Sequence, residues 1–191
     1  HSSAASDVYK RQIQYPADIF TKWSESELNA INIYKVETDL SNFKSTEWYN
    51  NTNLSYAYDS SSKKVKATYG TATAKPHADT TYTNTDKSNG EIPTGKDVGD
   101  VKDEGLKTIL IRKVKQEAEN ILSETDWYVT RKSEKSTAIP SAITTHRDAV
   151  TTKQAEMETA ITNAADTPAL EALYMRNDSG VRPLGDLPIL S

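Results

Sequence analysis

The sequence predicts an α+β protein, with a small antiparallel, β-hairpin-rich N-terminal part and a helical C-terminal part that contains an antiparallel helical hairpin. Three observations predict it. Eleven of the fifteen aromatic residues lie between Ile13 and Asp100, where no Arg occurs. From Val101 onward Arg appears five times and Ala becomes frequent. Apolar residues then recur at helical spacing, whereas earlier they alternate. Aromatic and β-branched residues suit a pleated surface, and Ala, Leu, Glu, Lys and Arg suit a helix.

The composition bounds the rest. The chain has 191 residues, 36% hydrophobic and 26% charged, with a net charge of −4. A mean hydropathy of −0.70 leaves material for a modest core only. The absence of cysteine removes disulfides, thiolate nucleophiles and Cys-ligated metal centres. The acidic balance argues against a nucleic-acid partner, since phosphate binding needs a basic face. No apolar run approaches a membrane span, so no membrane partner is expected.

The first elements follow in order. Asp7–Gln12, DVYKRQ, is encoded by GAT-GTG-TAT-AAG-AGA-CAG, a string that matches a transposon-end adapter. Residues 1–12, His1 included, are therefore expected to be non-native, with native chain from about Ile13. A β-rich domain over 13–78 comes next. Ser24 with Glu27 three residues on forms a capping box, which starts a short helix over about Glu25–Ile31. Ile31–Val36 alternates and reads as a strand. Asn53–Tyr58 and Lys64–Tyr69 are strands joined by the five-residue loop Asp59–Lys63, a hairpin. Residues 79–100, rich in Thr, Asn, Asp, Gly and Lys, read as a surface linker.

A helical domain over 101–175 follows. Leu106, Leu110, Val114, Ala118 and Ile121 mark a helix of about Val101–Leu122. Thr125-Asp126 caps a second helix, from Trp127 to about Lys135. Pro140 opens a third helix, whose face is Ile143, Val150, Met157 and Ile161, running to about Ala164. Asp166-Thr167-Pro168 caps a last short helix ending at Tyr174, and 176–191 is an irregular tail. Only about four residues separate the second and third helices, so they are expected to lie antiparallel, with Arg131 near His146 and Trp127 buried against Val150.

Motifs for chemistry are sparse. Gly90–Asp97, GEIPTGKD, approaches a phosphate-binding loop but has Asp97 where Ser or Thr would hold magnesium. His77 and His146 have no partner His at metal-ligand spacing. No G-x-S-x-G elbow is present. Glu117, Glu119, Glu124, Glu156 and Glu158 read as solvated helix faces. No catalytic, cofactor-binding or metal-binding residue is assigned, and no cofactor is expected.

The most specific segment is Leu122–Arg147, LSETDWYVTRKSEKSTAIPSAITTHR. It resembles a family of bacteriophage proteins encoded near tail-fibre genes, which includes tail-fibre assembly proteins. Thr125, Asp126, Trp127, Val129, Arg131, Glu134, Pro140 and Arg147 match the family's T-D-W-x-V-x-R-x-x-E block and the Pro and Arg behind it. His146 stands where Tyr is usual, and Glu124 where Pro is common. The Trp23–Val36 phrase, the ATYGTATAKP ending of the hairpin and the RPLGDLP tail extend the resemblance over most of 13–188.

The resemblance implies a non-enzymatic tail-region protein that assists tail-fibre assembly or binds fibre protein, in the host cytoplasm during assembly or in the virion tail. A structural component of the tail or baseplate is the alternative, and a glycan-active enzyme the third reading. For Asp126, Trp127, Arg131, Glu134, Pro140 and Arg147 it implies structural or partner-contact roles.

Overall fold

The computed structural model describes residues 16–190. The expected adapter-derived segment, 1–12, lies outside the described residues. The described residues form two compact units: one from 16–43 plus Asn51–Ala72, the other from Lys44–Asn50 plus 73–190.

The smaller unit contains α1 (Ile19–Lys22), α2 (Glu25–Ala30), β1 (Val36–Asp39), β3 (Leu54–Asp59) and β4 (Lys64–Tyr69). The capping box forms as the sequence specifies. The Ser24 hydroxyl accepts from the Glu27 amide at 3.3 Å, and the Glu27 carboxylate accepts from the Ser24 amide at 2.8 Å. The strand expected over 31–36 starts only at Val36. Asn32 takes a left-handed conformation (φ 62°) and the Ile33 amide returns to the Leu28 carbonyl, so the first residues of the alternating run close the helix instead.

Strand β4 is central in the order β1-β4-β3, parallel to β1 and antiparallel to β3. Asp59 pairs with Lys64, which leaves a four-residue loop, Ser60–Lys63, one shorter than the spacing suggested. The register places Tyr56, Tyr58, Val65, Ala67 and Tyr69 on one face and Glu37, Asp59, Lys64 and Lys66 on the other. Cross-strand ion pairs Lys66–Asp59 (2.9 Å) and Lys64–Glu37 (3.4 Å) lie on that second face. Ile19 and Ala67 are the buried apolar residues among the described residues of this unit.

The larger unit contains β2 (Tyr49–Asn50), β5 (Thr73–Ala74), β6 (Thr80–Thr81), α3 (Asn84–Ser88), β7 (Val101–Asp103), α4 (Leu106–Ser123), α5 (Asp126–Lys135), α6 (Ser141–Asn163) and α7 (Thr167–Tyr174). The expected boundary at residue 78 therefore shifts. Residues 44–50 join the larger unit because Trp48 and Tyr49, 4% and 6% exposed, are core residues there. Trp48 packs on Tyr174 (5.4 Å between centroids), and the Tyr49 hydroxyl donates to Glu171 at 2.9 Å.

The segment 79–100, expected as a linker, is structured. Strand β6 pairs with β7, and Thr83 with Asp86 makes a capping box at α3. Asp86 is buried and ion-paired to Lys102. Asp79 serves the next helix: its carboxylate accepts from the Gly105 amide (2.7 Å) and the Thr108 hydroxyl (2.9 Å). These two donors hold the Asp79 carboxyl below the usual range. Because Val101–Asp103 is spent on β7, α4 begins at Leu106, five residues later than its periodicity alone suggests.

Helices α4 and α6 form the antiparallel pair. Arg147 reaches the Leu122 carbonyl, Lys115 pairs with Glu158, and Lys107 reaches the Thr162 carbonyl. Counting between those links, Val150, Met157 and Ile161 lie opposite Ala118, Val114 and Leu110, all buried. The hairpin expected between α5 and α6 is replaced by this pair: an antiparallel helical arrangement is present, but α6 packs on α4 and not on α5. Trp127, expected in the core against Val150, is 52% exposed. A short connection fixes which helices follow one another, but not which face each presents. Here Ala118 and Val150 already close the seam. The tail is irregular, yet Leu184 is buried and its amide donates to the Leu173 carbonyl.

Candidate interaction site

The block Thr125–Arg147 resolves into two groups with different work. The first is a clamp. Arg147, on the second turn of α6, directs Nη1 at three oxygens: the Leu122 carbonyl (2.8 Å), the Thr125 hydroxyl (2.7 Å) and the Asp126 carboxylate (2.9 Å). The Leu122 carbonyl belongs to the last turn of α4, where carbonyls lack helical partners. Thr125 donates its own hydroxyl to the same carbonyl at 3.0 Å. It is 2% exposed, so this small polar knot is buried at the α4–α5 corner. The Asp126 side chain is 60% exposed, so its ion pair with Arg147 adds little beyond geometry.

The second group is an aromatic–cation cluster on α5, in which Trp127 is exposed and Tyr128 and Arg131 are half-buried. The Trp127 and Tyr128 rings lie 3.9 Å apart between centroids. The Arg131 guanidinium carbon sits 4.6 Å from the Trp127 centroid and 5.3 Å from that of Tyr128. Trp127 and Arg131 share a helix face because they are one turn apart, and the cation is attracted to the ring face. Arg131 Nε is buried without a hydrogen-bond partner among the described residues, as is Nε2 of the buried His146.

Of the residues singled out in the sequence, the fold brings Asp126 and Arg147 together in the clamp and Trp127 and Arg131 together in the cluster. Glu134 is exposed on α5 and joins neither. Pro140, expected as the first helical residue, is the N-cap of α6, with ψ 139°. Leu122 and Tyr128 were missed. Leu122 contributes through its backbone, which no side-chain pattern reports. Tyr128 carried a legible signal, as a second aromatic beside Trp127.

Gly90–Asp97 follows α3 and not a strand, and Asp97 is held by Lys87 at 3.1 Å. Among the described residues there is no group of three or more His, Cys, Asp or Glu side chains placed to hold a metal ion. Among them, too, no helix is long and apolar enough to cross a membrane. No protein-family model, curated protein or solved structure matches this chain.

Proposed function

We propose that this chain is a non-enzymatic bacteriophage tail-region protein that binds fibre protein during tail assembly, with the Trp127–Arg131 cluster as its contact. The observation that carries the reading is the exposure of Trp127, a position of the T-D-W-x-V-x-R block, in a cluster with Arg131. Trp, Tyr and Arg dominate interface energetics, because they offer large rigid area with a polar handle. The Arg147 clamp supports the reading, since it fixes the helix that presents the cluster.

The test is to read the gene neighbourhood of this chain and co-express it with any tail-fibre protein encoded there. Co-purification of the two, together with absence of this chain from finished virions by mass spectrometry, is the expected result. Co-purification with retention in the virion favours the alternative, a permanent tail or baseplate component. Failure to bind any neighbouring tail protein overturns both.

A further inference from the structure

The smaller unit carries a cleft with a different chemistry. Two depressions, of about 290 and 510 Å³, share Asn29 and Tyr34 in their walls. Phe20 and Trp23 flank Tyr34 in the first; Tyr58, Ser26, Ser62 and Lys63 line the second. The Tyr34 and Tyr58 rings are held in place. The Tyr34 hydroxyl donates to Asn32 at 3.0 Å, and the Tyr34 and Tyr58 rings lie 4.5 Å apart between centroids. Phe20 and Tyr58 are 71% and 50% exposed.

The uncharged polar groups of the lining are the Asn29 amide and the hydroxyls of Ser26 and Ser62, the last of these bonded to the Asp59 carboxylate. The Glu25 carboxylate at the rim is paired with Lys35 at 3.1 Å. We infer that this cleft binds a neutral oligosaccharide. A pyranose presents apolar C–H faces that cover aromatic rings, and equatorial hydroxyls that exchange hydrogen bonds with amide and hydroxyl groups. An apolar ligand that covered the Asn29 amide and the Ser26 hydroxyl would offer them no hydrogen bond. A polyphosphate or nucleic acid would call for more cations than Lys35, already paired, and Lys63 supply. Each depression has room for a sugar ring. This inference does not depend on the fibre-binding reading, which concerns the other unit.

The experiment is an amide chemical-shift titration of the whole chain with cellotetraose, maltotetraose and tetra-N-acetylchitotetraose, each to about 10 mM, a range that reports millimolar binding. At least one sugar should give saturable shifts confined to the residues around Asn29, Tyr34 and Tyr58. Tyr34→Ala and Asn29→Ala should each weaken that binding about tenfold or more, whereas Tyr56→Ala, exposed on the same sheet outside the cleft, should not. Asn29 is on a helix that accommodates alanine, so its variant reports binding even if Tyr34→Ala does not fold. The inference is overturned if no sugar gives saturable shifts, if the shifts map elsewhere, or if Asn29→Ala leaves the affinity unchanged. Saturation of the cleft by an amphipathic peptide with no response to any sugar overturns it equally.

Discussion

Arg147 donates to the Thr125 hydroxyl across 2.7 Å, while that hydroxyl donates onward to the Leu122 carbonyl. One side chain on α6 thereby closes the end of α4 and fixes the start of α5. The separation of this clamp from the Trp127–Arg131 cluster generates the first two predictions.

Arg147→Ala should destabilise the larger unit by about 1–3 kcal/mol, because it strips a charged donor from the buried Thr125 hydroxyl and from the Leu122 carbonyl. Arg147→Lys should recover only part of this, since a point-charge ammonium on a flexible stem is less well pre-organised to span three acceptors. Denaturant unfolding followed by circular dichroism measures both.

Trp127→Ala should change stability by less than about 1 kcal/mol, as surface substitutions usually do. The sequence alone predicted a buried anchor, whose loss typically costs about 3–5 kcal/mol. Met157→Ala is the positive control: Met157 is 1% exposed in the α4–α6 seam, and its truncation should cost about 2–5 kcal/mol. The same unfolding measurement ranks the two, and a larger loss for Trp127→Ala would contradict the observed packing.

Gly105→Ala should be destabilising by about 1–3 kcal/mol, as overpacking is. The N-cap glycine of α4 has an ordinary φ of −80°, so its backbone tolerates a side chain. The obstacle is steric, since a Cβ there would overlap the carbonyl group of Ala78. A wild-type melting temperature for this variant would show that the contact is loose.

Acid should unfold the β6–α3–β7 region through Asp86. Its carboxyl is held well below the usual range, first by Lys102 and then by the Thr83 hydroxyl and amide. A carboxyl with a lowered folded-state value contributes stability that is present above its unfolded value, about 3.9, and is lost as pH falls through the folded value. Stability should therefore decline progressively below about pH 4–5. Asp86→Asn should be less stable at neutral pH and show a flatter acid limb in unfolding free energy against pH. An unchanged acid limb would contradict the assignment.

Local patterns in the sequence were legible where a local rule decided the outcome. The Ser24–Glu27 capping box, the Leu54–Tyr69 hairpin, the Asp166 cap and the buried face Ile143, Val150, Met157 and Ile161 all follow from spacing. Legibility failed where distant partners decided. Thr83-x-x-Asp86 is a capping box with Asp in place of Glu, and its polar neighbours disguised it as a linker. Trp48 and Tyr49 belong to the larger unit because of Tyr174 and Glu171, more than a hundred residues away. For the candidate site, the residue types were visible but their division of labour was not. Whether Trp127 or Ala118 fills the seam beside Val150 depends on how α4 docks, which no local pattern encodes.

The central claim is that Trp127 serves recognition and not folding. The most direct measurement is the dissociation constant of the proposed fibre partner for wild-type chain and for Trp127→Ala, with both proteins shown to be equally folded. A hot-spot residue predicts a loss of about 2 kcal/mol or more, which is roughly thirtyfold in affinity. Equal affinity for the two, with the Trp127→Ala chain fully folded, would contradict the account.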